Sequence, residues 1–134
     1  MSKQVFINLP VKDLAKSMAF YEALGFTNNP QFTDDTAAAM VWSEQIIVML
    51  LTHEKLQQFT SKQIIDAKKS IGVINCLSME SPEEMNKITN NAITKGGVEL
   101  DELKDYGFMQ YRSFEDLDGN QWEVMYMDMS RVPG

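Results

Sequence analysis

The same helix start occurs twice in this chain, at Asp13 and at Ser81, 68 positions apart, and that spacing constrains the fold more than any other feature. The offset superposes Val5-Phe6-Ile7-Asn8-Leu9 on Val73-Ile74-Asn75-Cys76-Leu77, so each helix follows a short apolar, β-prone run. Asp13 is an N-cap residue, and Leu14, Met18, Tyr21 and Leu24 then recur at helical spacing until Gly25 stops the helix. Ser81 caps the second helix, Pro82 occupies its first position, Glu84 completes a capping box, and Gly96 and Gly97 close it.

Strands are expected at 4–9, ended by Pro10, and at 26–32, 37–42 and 45–52. In the second half they are expected at 72–78, 98–103, 108–114 and 121–127. The polar stretch 53–71, with Leu56, Phe59, Ile64 and Ile65 scattered through it, reads as a connector carrying one or two short surface helices. The order βαβββ therefore occurs twice, in modules 1–52 and 72–134 of a single α+β domain, 1–134. One helix covers one face of each four-stranded sheet and leaves the other face bare. Two such faces curved together make mixed sheets around an open cleft. The sequence Asp116-Leu117-Asp118-Gly119-Asn120 lies between two strands and reads as a hairpin turn, with Gly119 and Asn120 suited to positive φ.

A chain of 134 residues is long enough for one self-sufficient core without metal or disulfide staples. Twelve Lys and Arg against nineteen Asp and Glu give a net charge of −7, which repels nucleic acid and anionic membranes and favours neutral or cationic partners. Cys76 is the only cysteine, so no internal disulfide can form. No apolar run approaches the roughly 20 residues of a membrane span, and the opening residues lack a signal-peptide core, so a cytoplasmic protein is expected.

Two segments carry a family likeness: LPVKDLAKSMAFYEALGF resembles the opening of glyoxalase-like proteins, and FEDLDGNQWEVM resembles their D-P-D-G-N-x-x-E ending. With the repeat, the likeness covers nearly the whole chain and is to the vicinal oxygen chelate superfamily, which includes glyoxalase I, bleomycin resistance proteins, extradiol dioxygenases and fosfomycin resistance enzymes. The resemblance implies a glyoxalase-like fold, a homodimer and a small-molecule ligand in the cleft, and in many enzymes of the family one divalent metal. The family's ligand positions fall here on Phe6, on Ile74, on Ile47 or Met49 according to register, and on Glu123, which alone matches a ligand type. One carboxylate does not hold a catalytic divalent ion against water, so no cofactor is expected, though a divalent metal stays open through an arrangement that adds His53.

Strand alternation puts Phe6 and Asn8, then Ile47, Met49 and Leu51, then Ile74 and Cys76, and Glu123, Met125 and Met127 on the cleft side. The result is an apolar, methionine-rich lining with one carboxylate, one amide and one thiol. Glu123 in such a place either acts as a catalytic base or acid, pairs with a cationic ligand, or is held by Arg112 or Gln121 with no task. Cys76 reads as an inert thiol because a nucleophile needs a base beside it. The leading expectation is a bleomycin resistance-like binder of a small organic ligand. The alternative is a lyase, isomerase or dioxygenase that uses Glu123 as base or metal ligand.

Overall fold

A computed structural model describes residues 3–133. The chain divides between Asp66 and Ala67 into two compact units, each a mixed sheet with one long helix. The α+β class and the doubled βαβββ order are both present.

In the first unit, strands β1 (Val5–Val11), β2 (Thr27–Asn29), β3 (Ala37–Val41) and β4 (Ile46–Thr52) lie in the order β1-β4-β3-β2. β1 runs parallel to β4 and the other pairs are antiparallel. Helix α1 (Leu14–Ala23) begins where Asp13 accepts a hydrogen bond from the Lys16 amide at 3.1 Å. Its Phe20 and Tyr21 are buried with Val11, Met40, Val48 and Leu50. Tyr21 meets Phe20 and Phe26 edge-on at 5.2 and 5.3 Å, a geometry that aligns ring edges with ring faces. Below Thr52 a single helical turn, α2 (His53–Leu56), opens the polar connector.

The second unit orders β5 (Asn75–Met79), β9 (Gln121–Met127), β8 (Met109–Glu115) and β6 (Val98–Glu99), with β7 (Lys104–Asp105) also paired to β8. Helix α3 (Pro82–Thr94) covers one face, where Met85, Thr89 and Ala92 bury against Phe114, Trp122 and Val124. Thr89 is tolerated there because its hydroxyl donates to the Met85 carbonyl at 2.9 Å. Arg112 anchors the same face: its guanidinium grips both Glu99 oxygens at 2.9 and 3.0 Å and donates to Asn86 and Asn90.

Several expectations are corrected. β1 continues through Pro10 to Val11, since an outer strand tolerates the missing amide donor. The strand expected over 26–32 stops at Asn29, whose side chain caps a 3-10 turn (Pro30–Phe32) that Pro30 starts. The strand expected over 98–103 is only β6, at Val98–Glu99, and a further short strand, β7, forms beyond it at Lys104–Asp105. Glu84 accepts the Glu80 amide at 2.9 Å where a capping box would engage that of Ser81. The 116–120 segment is the expected turn, with Gly119 at φ +95°, but no described non-glycine residue, Asn120 included, has positive φ. Asn120 instead donates side-chain and backbone hydrogen bonds to buried Asp116, each 2.9 Å long, and the Asp118 amide adds a third at 3.0 Å.

Candidate functional site

Because α1 packs on one side of the first sheet, odd and even positions of its strands have opposite fates. Ile7, Leu9 and Val11 turn toward the helix; Phe6 and Asn8 turn away, and on β4 Ile47, Met49 and Leu51 share their side. The ladder pairs Phe6 with Ile47, Asn8 with Met49, and Met49 with Ala39. Over this face lies a cavity of about 840 Å³, inside the range of roughly 300–1,000 Å³ typical of small-molecule sites. Phe6, Asn8, Ile47 and Met49 all line it, whereas Leu51, on the same face, is covered and does not.

The remaining lining comes from residues outside the first and last strands: Ala39 and Val41 of β3, Asn29 and Phe32 around the 3-10 turn, Gln4, Ser43 and Glu44. Ala39 and Val41 were reachable from the sequence by extending the alternation to β3. Phe32 was not, because its position depends on the turn that Pro30 starts. Ala39 takes up little room, which leaves the cavity its depth. Phe6 and Phe32 keep 55% and 62% of their surface exposed, so both rings are available to a ligand. Among the described residues Glu44 is the one charged liner, and no Lys or Arg lines the cavity. Gln4 is committed to the Glu44 carbonyl at 2.9 Å.

In the second unit the ladder sets Cys76 opposite Glu123, and Glu123 opposite Ser113, in one row across three strands. The next row on that face is Ser78, Met125, Tyr111 and Lys104. Ile74 lies before β5 begins and outside this ladder, 43% exposed. Arg112 faces α3, on the other side, so it is not the partner of Glu123. Tyr106 stacks on Tyr111 with centroids 6.2 Å apart. The Tyr111 phenol is pushed up by its hydrogen bond with Tyr106, by loss of water and by nearby negative charge that includes Glu123. Partial burial, then the Glu123 carboxylate, push the Cys76 thiol up as well. Both groups are held protonated near neutrality.

The Cys76 shift is directly testable. Replacing Glu123 by Gln removes the second of its two causes, so the thiol pKa falls while part of the rise remains. Alkylation by iodoacetamide, followed at a series of pH values, is expected to reach half its maximal rate at lower pH in Glu123→Gln than in the parent. An unchanged profile contradicts the Glu123–Cys76 coupling.

The repeat aligns Asn8 with Cys76, and their ladder partners are Met49 and Glu123, so Met49 and not Ile47 is the first-unit counterpart of Glu123. The first unit thus offers an amide and a thioether, and the second a carboxylate and a protonated thiol. A divalent ion that chelates oxygen substrates needs several deprotonated or hard donors. Among the described residues no three His, Cys, Asp or Glu side chains converge to hold an ion, and His53 is exposed at the start of α2. Neither unit by itself offers the several hard or deprotonated donors that such an ion needs.

The sequence profile described as bleomycin resistance protein-like N-terminal matches residues 3–42. No curated protein sequence matches the chain. Among solved structures, a hypothetical protein from S. aureus is 27% identical with a TM-score of 0.78, the match covering 94% of this chain and 95% of that one. A glyoxalase/bleomycin resistance protein/dioxygenase family enzyme from Burkholderia phytofirmans shares 15% identity with a TM-score of 0.76, over 94% and 99% of the two chains. A glyoxalase-related enzyme from Fulvimarina pelagi shares 16% identity with a TM-score of 0.77, over 94% and 88%. The two βαβββ units and these matches show that the chain has the fold of glyoxalase/bleomycin resistance protein-like structures, with sequence similarity to the bleomycin resistance protein-like profile over residues 3–42.

Proposed function

We propose that this protein binds a small organic molecule in the cavity of its first unit, and that binding needs no metal. The observation that carries the reading is the cavity itself: about 840 Å³, floored by Ala39, Ile47 and Met49, with Phe6, Phe32 and Asn8 presented to it. The bleomycin resistance protein-like profile supports the same reading, because its match runs from β1 to the end of β3 and so contains Phe6, Asn8, Phe32 and Ala39. In this reading the protein acts in the cytoplasm as a homodimer, for which light scattering reads twice the mass of the chain.

The test is a thermal-shift screen of neutral and cationic organic compounds. Compounds that bind the native state raise Tm by mass action, about 2.7 kcal/mol at a hundredfold excess over Kd. Ala39→Leu fills the cavity floor and is expected to abolish the shift while leaving the circular dichroism spectrum unchanged. Affinity is expected to survive dialysis against a chelator. No stabilisation by any compound, or loss of binding with the chelator, contradicts the reading.

The row Cys76–Glu123–Ser113, with Tyr111 diagonal to Glu123, favours a second reading, a lyase, isomerase or dioxygenase-type enzyme in which Glu123 moves a proton. Under that reading Glu123→Gln removes turnover and leaves ligand affinity nearly intact. Equal affinity with no turnover in either protein favours the binder.

A further inference from the structure

The chemistry of the cavity lining narrows the ligand class. Resting on the binding reading above, we infer that the cavity takes an uncharged or cationic flat aromatic heterocycle whose edge carries a hydrogen-bond donor beside an acceptor, as in a lactam or an aminopyridine.

Three observations support this. First, Phe6 and Phe32 come from different elements, β1 and the 3-10 turn, yet line one cavity with more than half of each side chain uncovered. Aromatic rings left in this state gain most from a flat partner, by stacking and by removal of apolar surface from water. Second, the Asn8 carboxamide makes no hydrogen bond to any described residue, although it lines the cavity two positions along β1 from Phe6 and opposite Met49. A carboxamide offers an acceptor and a donor side by side, and its matching partner is an edge with the two in reverse order. This is the pairing by which Asn reads the adenine edge. Third, among the described residues the lining contains a carboxylate, Glu44, and no Lys or Arg, in a chain of net charge −7. A phosphate or carboxylate on the ligand finds no cation there and meets an opposing field.

The experiment uses the full chain and three matched probes: 2-quinolone, which has the donor–acceptor edge; N-methyl-2-quinolone, which lacks the donor; and 2-quinolone-4-carboxylate, which adds a negative charge. Affinities are read by calorimetry, with 15N NMR of the Asn8 side chain and 13C NMR of the Met49 methyl as local reporters. 2-Quinolone is expected to bind at least tenfold more tightly than either relative, with both reporters shifting. Asn8→Leu is expected to equalise 2-quinolone and its N-methyl form. Phe32→Ala, at an exposed position that does not threaten folding, is expected to weaken both by about tenfold. Equal affinity of the three probes, or preference for the carboxylate, overturns the inference and leaves the binding reading standing if the Met49 methyl still shifts. Failure of all three to bind while another compound from the screen occupies the cavity also overturns it. Failure of every compound overturns the binding reading with it.

Discussion

Gly119→Ala is expected to lower Tm by roughly 10 °C, more than the same change at Gly25, Gly72, Gly96 or Gly107. Two separate costs combine. Gly119 sits at φ +95°, a region that a residue with a Cβ enters at a cost of about 1–2 kcal/mol. A Cβ built there would also lie 2.6 Å from the Lys68 amide nitrogen and 2.7 Å from the Ala67 carbonyl carbon. Those are backbone atoms, which cannot swing aside as a side chain can, so overpacking adds about 1–3 kcal/mol. Together the loss is about 3 kcal/mol. The same substitution at Gly72, where a Cβ meets nothing within 4 Å, is expected to be near neutral. Denaturant unfolding of the two variants side by side checks the difference, and a Gly119→Ala protein as stable as Gly72→Ala contradicts the packing of this turn on 67–68.

Arg112→Met is expected to cost about 2 kcal/mol in the second unit, again by denaturant unfolding. The Arg112 side chain is only 13% exposed, and its guanidinium satisfies both Glu99 oxygens as well as the Asn86 and Asn90 side-chain carbonyls, so its loss leaves a half-buried carboxylate and two amides without their donor. The isosteric stem of Met keeps the packing, which confines the effect to these polar contacts. Because Arg112 faces α3 and Glu123 the opposite side of the sheet, the pH profile of Cys76 alkylation is expected not to move. A shift as large as that of Glu123→Gln shows instead that Arg112 acts on Glu123, the sequence-level alternative that the strand register rejects.

How far the sequence reached depended on whether a feature was local. Asp13, Ser81 and Pro82 set helix starts through contacts within four residues, and these starts are where the spacing put them. β9 spans Gln121–Met127 as the alternation required. Pro30 stood in plain sight, yet an apolar Phe on either side of it masked the break that makes the 3-10 turn, and Phe32's place in the cavity was lost with it.

Register was the harder quantity, because one pleat of slip keeps every residue on its face and changes only its partner. The offset of 68 between the helix caps holds, but matching Gln45–Met49 to Gln121–Met125 set Ile47 against Glu123. The ladders show that Met49 is the counterpart: the hairpins before β4 and β9 are equal in length, Ala39 facing Met49 as Ser113 faces Glu123, and the extra residues of the second unit lie between the Ser81 cap and β8. Side-chain alternation survives such a slip, which is why Phe6, Asn8, Ile47 and Met49 were found together. Arg112 was offered as a holder of Glu123 for a related reason: the register that sets Ser113 opposite Glu123, and so turns Arg112 to the other face, is not legible in the sequence.

The central claim is that the first unit's open sheet face is the ligand site. Methyl NMR of the full chain, during titration with a compound that raises Tm, tests it most directly. The Ile47 and Met49 methyl signals are expected to shift in proportion to saturation, with chelator present throughout. Shifts confined to Met125 and Met127, on the second unit, or shifts that vanish with the chelator, would contradict the account.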